Sequence, residues 1–178
     1  GGWFVGGAEF RTLIDSTPVI DHLLPDGGVD PGWTRPTIDS GGFPIVVEGG
    51  RLFISGRFAT VNGVARPGLA ALDAATGALL PWNAGVSLAG QAGIVTHVVA
   101  AAGRLYVTGV FDRIGGQSRH RFAVLDLATG AALTPVLPSA VGSLDVGIAV
   151  SGNRVYLLGN CRPGPYVLCA YDLDLSPL

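Results

Sequence analysis

The sequence predicts an all-β chain of four-stranded antiparallel blades, a β-propeller, on three observations. One heptapeptide is written three times, as Gly50-Arg51-Leu52-Phe53-Ile54-Ser55-Gly56, Gly103-Arg104-Leu105-Tyr106-Val107-Thr108-Gly109 and Asn153-Arg154-Val155-Tyr156-Leu157-Leu158-Gly159, with a degenerate form at Trp3-Phe4-Val5-Gly6-Gly7. The closing glycines stand at 7, 56, 109 and 159, giving steps of 49, 53 and 50 residues, a period found in propellers, solenoids and arrays. No amphipathic helical pattern occurs, whereas short apolar runs such as Pro44-Ile45-Val46-Val47 and Ile94-Val95-Thr96-His97-Val98-Val99 suit strands covered on both faces. A parallel β-helix is the runner-up, but its turns are shorter than this period. An immunoglobulin-like sandwich would not repeat itself internally in this way.

The second copy defines the unit. Strand one is Phe43 to Glu48, a tight Gly49-Gly50 turn follows, and strand two is Leu52 to Phe58. The loop Ala59 to Gly68 leads to strand three, Leu69 to Asp73, and Ala74-Ala75-Thr76-Gly77 turns into strand four, Ala78 to Trp82. The third copy repeats this order with Gly103, Leu105 to Phe111, Phe122 to Asp126, Ala128-Thr129-Gly130 and Ala131 to Thr134. Glycine supplies positive φ at the turns, and the Asp before each turn accepts backbone N–H bonds. The blades then run approximately 1–36, 42–83, 94–136 and 144–178 within one region, 1–178, the first and last incomplete. That predicts a partial propeller of roughly three to four blades, either a piece of a larger ring or a half-ring that completes itself by association. An open arc exposes an apolar blade face at each end, a patch that soluble monomers rarely tolerate.

Composition narrows the partners. The chain has 178 residues, 48% of them apolar, and a net charge of −2. Its pI near 5.8 gives no global field for nucleic acid or anionic lipid. The mean hydropathy of +0.47 is high, yet no apolar run reaches membrane-spanning length, so membrane insertion is not expected. All 11 basic residues are Arg and Met is absent, a usage expected of a GC-rich bacterial genome. The start at Gly1-Gly2, without an initiator Met or a visible signal peptide, is expected of a chain that has lost a leader or belongs to something longer.

A resemblance becomes specific at Gly56-x-Phe58, Val61-Asn62-Gly63, Arg66, Leu69-Ala70-Ala71-Leu72-Asp73, Thr76-Gly77 and Leu80-Pro81-Trp82-Asn83. These motifs resemble a bacterial propeller-repeat family of uncharacterised function found in large secreted and surface proteins. The first copy resembles it through Leu24-Pro25-Asp26-Gly27-Gly28-Val29-Asp30-Pro31-Gly32-Trp33. The resemblance implies the fold and an extracellular or cell-surface location, but no activity. Asp73-x-x-Thr76-Gly77 followed by a Trp is also similar to blades of quinoprotein dehydrogenases, in which the Trp packs between neighbouring blades. Trp33 and Trp82 are expected to do the same, while the third copy has Val136 there. The calcium and quinone ligands of those enzymes are not recognisable, so no cofactor is expected.

The cysteines gain meaning from the alignment. Phe58 and Ala70, like Phe111 and Ala123, are 12 residues apart, and Cys161 and Cys169 stand at the same two repeat positions with a shorter loop between them. A large and a small residue facing each other across strands two and three have been replaced together, which predicts a disulfide between adjacent antiparallel strands. Two buried free thiols are the alternative. Metal binding is not expected from two Cys without a neighbouring His.

Repetition also sorts the polar residues. Arg51, Arg104 and Arg154 recur at one position and Arg66 and Arg119 at another, so they are expected to brace the scaffold by bonding carbonyls or carboxylates. Asp73, Asp126 and Asp172 recur as turn caps. His22, His97 and His120 form no metal-ligand pattern, and the chain has no Gly-x-Ser-x-Gly elbow, phosphate loop or dinucleotide fingerprint. A site belongs where copies differ, in the long connections between strands two and three and between blades. Arg113, Arg119, His120 and Arg121 cluster in one such loop, and His97 and Asp145 begin inner strands bordering a central channel. The expected function is a noncatalytic extracellular scaffold or binding module for protein or glycan. The alternative is a hydrolase, lyase or quinone-type oxidoreductase with its site at the channel, which needs converging acids and bases around His97 and Asp145.

Overall fold

The computed structural model describes residues 2–12, 15–41, 45–134, 146–159 and 167–176. Among them there is no helix, and every strand pairing is antiparallel. The first copy contributes a long hairpin, β1 (Trp3–Thr12) and β2 (Asp15–Leu23). The second contributes β3 (Ile45–Glu48), β4 (Arg51–Ser55), β5 (Thr60–Val61), β6 (Val64–Ala65), β7 (Leu69–Asp73) and β8 (Leu79–Asn83). In the third are β9 (Ser87–Leu88), β10 (Gln91–Ala92), β11 (Ile94–Ala101), β12 (Arg104–Val110), β13 (Arg113–Ile114), β14 (Gln117–Ser118) and β15 (Phe122–Asp126). The fourth adds β16 (Val146–Ser151), β17 (Arg154–Gly159) and β18 (Val167–Asp172).

The second copy forms a four-stranded sheet in the order β3-β4-β7-β8, and the third and fourth form three-stranded sheets β11-β12-β15 and β16-β17-β18. The registers repeat: Arg51 pairs with Asp73, Arg104 with Asp126 and Arg154 with Asp172. The structure departs from the sequence reading at several points. Strand two of the second copy ends at Ser55 rather than Phe58, because Gly56 N–H bonds to Gly68 O while Gly56 O accepts Val95 N–H from the third copy. The connection Ala59 to Gly68 is not plain loop but holds the β5–β6 hairpin, whose Asn62 and Gly63 take φ of 52° and 72° for its tight turn. Strand four of the third copy, expected at Ala131 to Thr134, is reduced to the bridge Leu125↔Ala132. Its N–H groups are divided: Leu133 donates to Val124, whereas Ala132 donates away from the sheet to Gly115.

Alternation along the strands builds the core between successive copies. Leu52, Ile54, Ala70 and Leu72 share one cluster with Ile20 and Trp33 of the first copy. Residues of opposite parity, Phe53, Leu69 and Ala71, pack with Trp82 against Val95, Leu105, Val107, Ala123 and Leu125 of the third. Tyr106, Phe122 and Val124 then meet Val155, Leu157, Cys169 and Tyr171 of the fourth. The second and third copies thus each have a front face toward the predecessor and a back face toward the successor, as the period-two pleat requires.

Candidate functional site

At the tight-turn end the recurring polar groups are occupied. Asp73 Oδ1 accepts bonds from Ala75 N, Thr76 N and Thr76 Oγ1 at 3.0, 2.8 and 2.9 Å. Asp126 Oδ1 accepts from Thr129 N and Oγ1, both at 2.8 Å, and Asp172 Oδ1 from Asp174 N and Ser176 N. The Thr76 hydroxyl, then its backbone N–H, holds the Asp73 carboxyl below its ordinary pKa, and Thr129 does the same to Asp126. These are the turn caps expected from the sequence.

Arginine and tryptophan lock one copy to the next. Arg51 donates to Leu127 O at 2.8 Å and Ala128 O at 3.1 Å in the following copy's turn. Arg104 repeats this toward Leu173 O at 2.6 Å and adds an ion pair with Asp174 at 2.8 Å, while Tyr106 hydroxyl donates to the same carbonyl at 3.0 Å. Burial, opposed by the Arg104 bond, raises the pKa of Tyr106. Trp33 covers Gly77 and Trp82 covers Gly130: a Cβ would stand 2.9 Å from Trp33 Cε2 at the first and 3.0 Å from Trp82 Cε2 at the second. The expected packing of Trp between copies is therefore present twice; Val136, its aligned counterpart, lies outside the described residues. A cleft of about 390 Å³ opens beside the second lock, lined by Arg51, Leu80, Pro81, Trp82, Asn83, Ala128 and Thr129. Its Arg51, Asn83 and Thr129 side chains already bond Leu127, Gly85 and Asp126.

At the long-loop end the third copy departs from the second. Here β9 and β13 pair, and with β10 and β14 they make a separate four-stranded sheet in the order β10-β9-β13-β14. Arg113 lies in it opposite Ser87 and Ser118, with its side chain exposed. Arg119 is only half-buried and braces its own copy: Nη1 donates to Ser118 O and Nη2 to Leu133 O, as Arg66 does to Ala65 O and Leu80 O. His120 and Arg121 are exposed. Arg121 holds φ at +62° where the second copy has Gly68 at +68°, a left-handed backbone that costs a non-glycine residue strain. Among the described residues no side-chain partner bonds Arg113, His120 or Arg121.

Five of the six sequence candidates, all but Asp145, lie among the described residues. His97 follows a bulge in β11, is half-buried, and its Nδ1 lies 3.3 Å from Thr108 Oγ1. Asp145 and Cys161 lie outside the described residues, so neither the His97–Asp145 pair nor the Cys161–Cys169 bridge is placed. Cys169 is buried in the third cluster, at the repeat position of Ala70 and Ala123.

Sequence reasoning missed three carboxylates. Asp112 Oδ2 accepts Ala89 N–H at 2.8 Å, tying the β9–β10 hairpin to the β12–β13 connection. Asp39 caps the second copy's loop through Ala59 N, Thr60 N and Thr60 Oγ1; those bonds outweigh the burial that opposes them and lower its pKa. Asp30 bonds His22 Nδ1 at 2.8 Å and Gly32 N at 2.8 Å, and the His22 bond foremost lowers its pKa. Phe4 stacks on that imidazole with ring centroids 4.8 Å apart. None of the three recurs at a fixed step, so repetition could not expose them. No group of three or more His, Cys, Asp or Glu is placed to hold a metal among the described residues. No protein-family model matches the chain, and no curated protein matches it.

Proposed function

We propose that this chain is a run of β-propeller blades serving outside the cell as a noncatalytic scaffold or binding module, with the 113–121 loop as its recognition edge for protein or glycan. The sheet succession supports the blade reading, since each described sheet of the middle copies is covered front and back by its neighbours. One observation carries the functional reading. Arg51, Arg104, Asp73 and Asp126, which recur, are spent on turns and copy-to-copy contacts, whereas Arg113, His120 and Arg121, where the copies differ, are exposed and have no described side-chain partner. Guanidinium groups on one edge offer planar forks to carboxylate, sulfate or phosphate. Acidic glycans fit that chemistry.

The enzyme alternative rests on His97 and Asp145, and no observation favours it. The Cys161–Cys169 disulfide belongs to the extracellular reading: unreduced, denatured protein should show no titratable thiol, and two would exclude the bridge. Recognition is tested by screening sulfated and uronate glycans, then comparing the Arg113→Ala/Arg121→Gly double variant, in which glycine removes the charge without backbone strain. Binding weakened tenfold or more is expected, from the loss of about 1.4 kcal/mol or more. Unchanged binding, or a ligand seated on the Gly49-Gly50 and Thr-Gly turns, overturns the assignment.

A further inference from the structure

The β10-β9-β13-β14 sheet of the third copy lays one row of residues along its outer face. Directly opposed residues of an antiparallel pair share a face, with Cβ atoms about 5 Å apart. Ser118 of β14 and Ser87 of β9 both stand opposite Arg113, and Ala92 stands opposite Ser87. Ile114, of the other parity, is fully buried in the cluster between the second and third copies, so the row faces outward. Arg113 and Ser118 are exposed and Ser87 is half-buried. Among the described residues no partner bonds the Ser87 hydroxyl, and Ser118 Oγ donates only weakly, to Asp112 O at 3.5 Å. Asp112, next to Arg113 and therefore on the other face, holds the row in register. Its N–H donates to Ser87 O at 2.9 Å, its Oδ2 accepts Ala89 N–H at 2.8 Å and its carbonyl accepts Arg119 N–H at 2.9 Å. The second copy has no such row: Thr60 and Ala65 stand at the Arg113 and Ser118 positions, and Thr60 Oγ1 is bonded to Asp39.

We propose that this row is a subsite for a sulfate ester carried on a glycan. The proposal rests on the reading of the 113–121 connection as a recognition edge and adds to it Ser87, from the connection between the second and third copies. A sulfate ester, like a phosphate, presents three terminal oxygens in a tetrahedral array. The Arg113 fork takes two of them, and the hydroxyls on either side of it reach the third, out of the guanidinium plane. A uronate carboxylate has two oxygens in one plane, so the fork occupies both and leaves no third oxygen for the serines. The strands of this sheet carry no aromatic side chain, and Ser and Ala are depleted in protein interfaces while aromatics are enriched, which favours a glycan over a protein as the carrier.

Isothermal titration tests it with two oligosaccharides of equal length and charge, a sulfated dextran fragment and an oligogalacturonate, in about 0.15 M salt. The sulfated fragment should bind at least about tenfold more tightly. Ser87→Ala and Ser118→Ala should keep the wild-type urea midpoint, weaken binding of the sulfated fragment about three- to tenfold and leave that of the oligogalacturonate unchanged. Arg113→Ala should weaken both. Equal affinity for the two fragments, or serine variants that bind the sulfated fragment as the wild type does, overturns the sulfate subsite, while a loss on Arg113→Ala would still uphold the recognition edge. A tyrosine-sulfated peptide that binds more tightly than the sulfated fragment overturns the glycan as carrier. If neither fragment binds, or the Arg113→Ala/Arg121→Gly variant binds both unchanged, the acidic-glycan reading of the edge falls together with the subsite.

Discussion

The two ends of the repeat units treat arginine differently. At the tight-turn end Arg51 and Arg104 are half-buried and bonded to the next copy, and Asp73, Asp126 and Asp172 are bonded to the turns that follow them. At the long-loop end Arg113 and Arg121 are exposed, and only Arg119, which has a counterpart in Arg66, is committed to carbonyls. For the arginines of these two copies, recurrence at a fixed step goes with bonds to carbonyls, while the unrepeated Arg113 and Arg121 are left exposed. The lesson holds within a single loop, where Arg119 and Arg121 are two residues apart.

The largest way to break the scaffold end is to remove a tryptophan lock. Trp82 is buried within the cluster joining the second and third copies and packs edge-on to Phe53 with ring centroids 5.3 Å apart. Trp82→Ala should cost about 3–5 kcal/mol, read as a lower urea midpoint. A loss below about 0.5 kcal/mol would mean that the copies are not held together there.

The turn caps come next. Asp73→Ala leaves the N–H groups of Ala75 and Thr76 without their acceptor and should lower the urea midpoint, by less than Trp82→Ala does. The pH dependence has a definite sign. Folding lowers the Asp73 and Asp126 pKa values below 3.8, so the ionised carboxylates favour the folded state. Their contribution is full above the unfolded value and is lost as pH falls through the folded ones. Wild-type stability should accordingly drop in acid below about pH 4, and Asp73→Ala should flatten that drop. A steeper acid limb in the variant would contradict the assignment.

The smallest effect has the opposite sign. Arg121 at φ +62° occupies a conformation that its counterpart Gly68 adopts freely. Arg121→Gly relieves about 1 kcal/mol of left-handed strain and gives back part of it through the freer unfolded chain. The net expectation is stabilisation of about 0.5 kcal/mol, seen as a small rise in the thermal midpoint. Destabilisation beyond 1 kcal/mol would show that the Arg121 side chain is bound after all.

Much of this was legible because the chain repeats itself. Strand three, Leu69 to Asp73 and Phe122 to Asp126, matches the structure residue for residue, because an apolar run bounded by turn residues leaves no freedom in its ends. The Arg, Trp and Asp roles followed from recurrence even though Arg51 and Leu127 are 76 residues apart. The hairpins at 60–65 and 87–92 were not legible, since two-residue strands carry no alternation. The lost fourth strand of the third copy was hidden too: nothing local in Ala131-Ala132-Leu133-Thr134 reveals that Ala132 will bond Gly115. The His22–Asp30 pair and the Asp112 bond are meetings of distant or unrepeated residues, which only the folded chain brings together. In the 113–121 connection the recurrence of Arg119 with Arg66 pointed to its carbonyl bonds, whereas the β13–β14 hairpin was not legible.

The difference between the two ends is tested most directly by one substitution made in two places. Arg51→Ala removes a half-buried guanidinium bonded to two carbonyls of the next copy, and Arg113→Ala removes an exposed one with no described side-chain partner. Urea unfolding of the two variants beside the wild type should show Arg51→Ala losing about 1.5–3 kcal/mol, the range for hydrogen bonds to charged groups. Arg113→Ala should stay within about 0.5 kcal/mol of the wild type. Equal losses, or a larger loss for Arg113→Ala, would contradict the division between a committed scaffold end and a free long-loop end.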